Sequence, residues 1–136
     1  MKNQLFDLTK KVSLITGGNG GIGLGMAKGL ASCGSDIAII GRNIEKNSKA
    51  KEELSEFDVR VETYSIDVSN EEDVKKTVLN VVNDFGRIDA VFANAGMNLY
   101  GGSFEDMDTD VYRKVLAVNL DGVFFTLREV CKHMVE

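Results

Sequence analysis

Two hydrophobic regimes alternate along this chain. Apolar stretches of strand length occur at residues 12–15, where Ser13 interrupts Val12, Leu14 and Ile15, at 37–40, which is unbroken, and at 88–93 (IDAVFA), and a looser run carries Val59, Val61, Tyr64 and Ile66 before ending at Asp67-Val68. Between these runs the apolar positions open to helical spacing. Ile22, Met26 and Leu30 follow the first run, and a charged stretch at 44–56 offers only Ile44, Ala50, Leu54 and Phe57 for packing. Val74, Val78, Val81, Val82 and Phe85 then share one helical stripe, and Val111, Val115, Val118, Gly122 and Phe125 form another that stays helical to the end of the sequence. Strands that are apolar throughout belong to a parallel sheet covered on both faces, and strand–helix alternation predicts right-handed crossovers.

The boundaries carry their own signals. Gly34 suits the C-cap of the first helix and Gly86 closes the third. Ser69 with Glu72 predicts a capping box at the start of that third helix, and Asp108 or Thr109 caps the last one.

Between the first strand and its helix lies a bend with five glycines in seven residues, Gly17 to Gly23. Without Cβ atoms such a bend turns sharply and lets its backbone approach a ligand. The orphan N–H groups and positive dipole of the helix start favour an anion there, and a pyrophosphate is the natural guest. The glycines fit three registers at once: GxGxxG from Gly18, TGxxGxxG from Thr16, and TGxxxGxG from Thr16. Spacing alone does not choose among them.

Composition narrows the setting. The 136 residues carry a net charge of −5 with acids and bases interspersed, which gives no nucleic-acid-binding face, and no apolar run approaches the roughly 20 residues of a membrane span. Cys33 and Cys131 lack metal-ligand or CxxC spacing and read as reduced thiols. The opening MKNQLFDLTKK has no signal-peptide core, so a cytoplasmic location is expected by default. With no proline, repeat or linker composition, residues 1–136 read as one nucleotide-binding domain.

In a doubly wound sheet the ligand lies outside the carboxyl ends of the strands. The site should therefore collect Gly17 to Gly23, then Arg42, Asp67 and Asn94 to Gly96, each directly after its strand. Asp36 has the sequence spacing of a ribose-binding acid but precedes the second strand, at the wrong end of the sheet. The position just past that strand is Gly41-Arg42, and a guanidinium there pairs with a 2′-phosphate. NADP is therefore expected in preference to NAD. Bland readings suit other residues: His133 as surface or interface packing, Met97 and Tyr100 as loop packing, and Glu71-Glu72-Asp73 as charges matched to a helix start.

Over essentially its whole length the sequence resembles the N-terminal half of the classical short-chain dehydrogenase/reductase family. Residues 16–23 (TGGNGGIG) are similar to the family's TGxxxGxG, Asp67-Val68 to its adenine-contacting pair, and Asn94-Ala95-Gly96 to the end of its NNAG motif, whose first Asn is Ala93 here. Asn119 in LAVNLDGVF is similar to the family's helical catalytic Asn, whose backbone is implied to hold a water in a proton relay. The resemblance selects the TGxxxGxG register and implies a Rossmann-type, three-layer α/β fold, truncated after about four strands and the fifth helix. Together with Arg42, placed by the strand-end rule, it gives Gly17, Asn19, Gly20, Gly21, Ile22, Gly23, Asp67, Val68, Asn94, Ala95 and Gly96 as the residues expected to hold the cofactor. It further implies hydride transfer with a small carbonyl or alcohol substrate, and assembly as a homo-oligomer.

The family's chemistry uses a Ser and a YxxxK pair. Four residues after Tyr64, Tyr100 and Tyr112 stand Val68, Phe104 and Leu116, so the sequence holds no such pair. The expectation is a partial record of a longer enzyme, inactive in isolation and prone to associate through an apolar fourth strand. The alternative is a noncatalytic nucleotide-binding or regulatory module that ends naturally at Glu136.

Overall fold

A computed structural model of the chain describes residues 4–98 and 102–134. Its centre is β1 (Val12–Thr16), in which every residue is buried. A strand without a polar face must be covered above, below and along both edges. β1 pairs in parallel with β2 (Asp36–Ile40) on one edge and β4 (Ala90–Ala93) on the other, and β3 (Val61–Tyr64) lies outside β2, giving the order β3-β2-β1-β4. The chain runs outward from β1 to β3 and then returns to the opposite side for β4. The switch point, where such sheets open a crevice, therefore lies at β1.

The helices cover both faces. On one, α1 (Gly21–Ser32) and α2 (Ile44–Leu54) bring Ala27, Ala31, Ala50 and Leu54 against Ile15, Ile37 and Ile39. On the other, α3 (Glu71–Phe85) and α5 (Gly122–Met134) bring Val74, Val78, Val81 and Val130 against Leu14, Ala38 and Ile40. Alternate strand residues thus feed separate cores, as the period of two along a strand requires. α1 ends in a Schellman arrangement: Gly34 sits at φ +95° and donates to Ala31 O, while Ser35 donates to Leu30 O. Gly86, at φ +80°, closes α3 in the same left-handed conformation.

Four local expectations are corrected. The α3 cap is Asn70, whose side chain accepts from Asp73 N; Ser69 is drawn instead into a turn in which its N–H and hydroxyl both donate to Asp67 Oδ1. β3 and β4 are four residues each, so Val59, Ile66 and Ile88 fall in the flanking loops. Ile44 does not pack and is 69% exposed. The inward stripe of α2 runs through Asn47, Ala50 and Leu54, and at about 100° per residue Ile44 falls roughly a quarter-turn off it. The last helix is also not continuous: α4 (Thr109–Leu116, capped by Asp108) passes through a π turn at Ala117–Asp121 before α5 begins.

Among the described residues no helix is long and apolar enough to cross a membrane, and no cluster of three metal-ligating side chains occurs. Cys33 and Cys131 are both free. Tyr100 lies outside the described residues.

Candidate functional site

The glycine bend forms because the chain must leave a buried central strand and enter a helix within a few residues. Gly17 takes φ +66° and donates its N–H to Ile40 O at 2.7 Å, which ties the bend to the end of β2. A Cβ on Gly23 would collide with Gly17 O and come within 2.6 Å of Asn94 Nδ2, so the first turn of α1 rests directly on the bend. Gly20 and Gly21 have open space where a Cβ would point. No side chain caps α1, and no acid stands in its first turn. The helix start is left for an external anion, and the space beside it suits the diphosphate of a dinucleotide.

The next wall comes from β2 and β3. Arg42 Nη1 lies 3.8 Å from Asp67 Oδ2, with the two side chains 60% and 43% exposed. An ion pair that exposed is worth only about 0–1 kcal/mol, which leaves the guanidinium available to a stronger partner such as a phosphate. Burial by itself would push the Asp67 carboxyl up, but the Ser69 N–H at 2.9 Å, the Ser69 hydroxyl at 2.8 Å and the Arg42 charge together hold it below the usual carboxylate range. Val68 is buried, and a Cβ on Gly122 would approach its Cγ2 to 2.8 Å, so the start of α5 is packed against this wall.

The third wall is the end of β4. Asn94 Nδ2 donates to Thr16 O at 3.1 Å and to Gly17 O at 3.4 Å, and Ala95 N donates to Thr16 Oγ1 at 2.9 Å. These bonds fix the β4 exit to the β1 exit. Together the walls enclose a cleft of about 460 Å³ at the carboxyl ends of the strands.

The structure brings Gly17, Asn19 to Gly23, Arg42, Asp67, Val68 and Asn94 to Gly96 onto this one cleft. Arg42 and Asn94 open onto the same side of the molecule. Asp36 stands at the far end of β2, where its Oδ1 accepts from Arg60 N. Asn119 is not on the cleft wall. It lies in the π turn beyond Gly96 and makes two hydrogen bonds with the backbone of Met97.

Several residues that shape the site were not assigned to it from the sequence. Lys46 and Val118 line the cleft, and Thr16 anchors the β4 exit through its hydroxyl. Asn47, 3% exposed, accepts from Asn19 Nδ2 at 2.7 Å and donates to Gly41 O at 2.9 Å. Its signal was a polar residue on the inward stripe of an otherwise charged helix. Gly41 has a steric reason as well: a Cβ there would strike Asn19 Nδ2 and lie 2.6 Å from Asn47 Oδ1.

The sheet order, the bend and the three walls define a dinucleotide-binding crevice of the doubly wound type. The family model for short chain dehydrogenase matches residues 11–136, and the chain belongs to that family. It is 36% identical over 131 residues to the sorbose reductase of Schizosaccharomyces pombe, covering 95% of this chain and 51% of the relative. It is also 36% identical over 133 residues to an NADP-dependent mannitol dehydrogenase of Hypocrea jecorina, covering 95% and 50%. Among solved structures, an NAD+-bound xylitol dehydrogenase superposes with a TM-score of 0.91 at 39% identity, covering 94% of this chain and 49% of that one. A metagenomic short-chain oxidoreductase in complex with NADP gives 0.90 at 27% identity, covering 95% and 58%. The chain spans about half the length of the curated relatives it matches.

Proposed function

We propose that the cleft holds NADP(H), in preference to NAD(H), and that the chain supplies the cofactor-binding part of an oxidoreductase acting on a small carbonyl or alcohol substrate. The observation that carries the preference is the placement of Arg42: just past β2, exposed, on the same cleft as the diphosphate bend, and only weakly engaged by Asp67. The bound nicotinamide would supply or accept the hydride.

On this reading the amides of residues 20–23 hold the diphosphate and Arg42 meets the 2′-phosphate. Asp67 and Val68 border the adenine, and Asn94 to Gly96 border the ribose on the nicotinamide side. Because the Asn119 side chain is committed to Met97, its contribution to proton transfer falls to its backbone. The names of the relatives support either dinucleotide: the mannitol dehydrogenase is NADP-dependent, while the xylitol dehydrogenase structure holds NAD+. The residues of this chain favour NADP.

Calorimetric titration of the chain with NADP+ and NAD+ tests the proposal. Tighter binding of NADP+ is expected, with the preference lost in Arg42→Asp. Equal affinities in the parent chain would remove the preference, and binding of neither would remove the nucleotide reading. Hydride transfer is assayed as NADPH oxidation by the complete product of the gene with a panel of ketones and aldehydes.

A further inference from the structure

We infer that Asn47, which does not line the cleft, is a positioning residue that locks the diphosphate bend and the Arg42 corner into one rigid unit and thereby sets the preference between the two dinucleotides. The inference rests on the nucleotide reading above.

Asn47 lies on α2, almost fully buried, between two elements that share no strand or helix. Gly41 O can only accept, so the amide nitrogen of Asn47 must face it, at 2.9 Å. That leaves Oδ1 to face Asn19, whose amide nitrogen donates at 2.7 Å. Both orientations are therefore dictated by a single carbonyl. One side chain holds the middle of the glycine bend through Asn19, and the residue preceding Arg42 through its carbonyl. The second hold is reinforced because Gly41 N donates to Tyr64 O at 3.0 Å, fixing the corner from the β3 side.

The two holds serve different parts of a dinucleotide. The bend contacts the diphosphate, which NAD and NADP share; the Arg42 corner meets the 2′-phosphate, which only NADP carries. Losing the Asn19 arm alone should weaken both cofactors alike. Losing Asn47 releases the corner as well and should weaken NADP further. A residue serving the fold alone would lower both affinities in proportion, so the affinity ratio separates positioning from simple stabilisation.

The test compares the parent chain with Asn47→Leu, a neutral change of the same branched shape that removes the hydrogen bonds to Asn19, to Gly41 O and, at 3.5 Å, to Tyr64 O, and Asn19→Ala, which removes only the first. NADP+ and NAD+ are titrated calorimetrically, and amide hydrogen exchange is followed without ligand. Asn47→Leu should weaken NADP+ by about tenfold, the worth of one lost hydrogen bond, and lower the NADP+ to NAD+ affinity ratio at least threefold. Asn19→Ala should leave that ratio within about twofold. In exchange, Asn47→Leu should speed residues 17–23 and 41–43 together, whereas Asn19→Ala speeds only the first group. If Asn47→Leu does not fold, Gly41→Ala wedges the same junction and should lower the ratio in the same way. An unchanged ratio in Asn47→Leu, or faster exchange spread evenly over β1 and β2, overturns the inference while leaving the nucleotide reading intact. A parent chain that binds neither dinucleotide overturns both.

Discussion

Asn119 closes both backbone groups of Met97: its Oδ1 accepts from Met97 N at 2.8 Å and its Nδ2 donates to Met97 O at 2.9 Å. The two residues are 22 apart in sequence, so the amide stands in for a strand partner that the segment after β4 lacks among the described residues. Asn119→Ala should cost about 1–2 kcal/mol for two net hydrogen bonds. It should also raise amide exchange at residues 95–98 well before that of β1. Exchange at Met97 equal to that of the parent chain would show that the loop is held by something else.

Gly23→Ala should be far more damaging than its small size suggests. The added methyl has nowhere to go, since it meets the Gly17 carbonyl on one side and the Asn94 amide on the other. Overpacking of this kind costs about 1–3 kcal/mol. The displaced bend should also lose its ligand, so denaturant midpoint and dinucleotide affinity should fall together. Gly86→Ala provides the contrast: open space surrounds it, but φ is +80°. Its cost should be about 1 kcal/mol, from backbone conformation alone, with affinity unchanged.

Arg42→Asp should cost NADP+ about 1.5–3 kcal/mol of charge-assisted contact, a loss of roughly ten- to a hundredfold in affinity. It also places a second carboxylate beside Asp67. The Asp67 carboxyl, now without its cation, should titrate at higher pH, which carboxylate-resolved NMR measures directly.

Acid stability should depend on Asp89. Burial alone would push its carboxyl up, but Arg87 at 2.8 Å, Val12 N at 2.9 Å and Lys11 at 3.3 Å together hold it below the usual range. Because the folded state lowers its pKa, its stabilising effect is fully present above about pH 4 and is lost as pH falls through the lowered value. Asp89→Asn should therefore lower the urea midpoint at pH 7, and the gap to the parent chain should narrow steadily below pH 4. A gap independent of pH would show that the charge contributes nothing.

How far the residues announced this structure depends on whether their signal was local. The glycine bend, the four strands and the Val74–Val78–Val81 stripe rest on short-range periodicity, and they form there, with β3 and β4 shorter at their ends than the periodicity suggests. The positions of Arg42, Asp67 and Asn94 on one cleft follow from strand order alone, because each lies in the loop that leaves a carboxyl end. Contacts that depend on long-range geometry were not legible. Ser69 and Asn70 are both good caps, and only the turn that Asp67 makes with Ser69 decides between them. Asn47 looked like one more polar residue on a solvated helix, because its partners at Asn19 and Gly41 become neighbours only when β1 and β2 pair. The break between α4 and α5 leaves no mark on composition, since every residue from 117 to 121 is compatible with an ordinary helix.

That break shapes how this region can change over generations. The wider turn, closed by Gly122 N donating to Ala117 O, accommodates one residue more than regular winding would. A single-codon deletion within 117–121 would remove that extra residue and restore uniform winding, so Thr126 and Val130 would keep their buried seats. The cost would fall inside the break, where Asn119 would turn away from Met97. A one-residue loss should therefore be accepted here more readily than in the regular turns on either side.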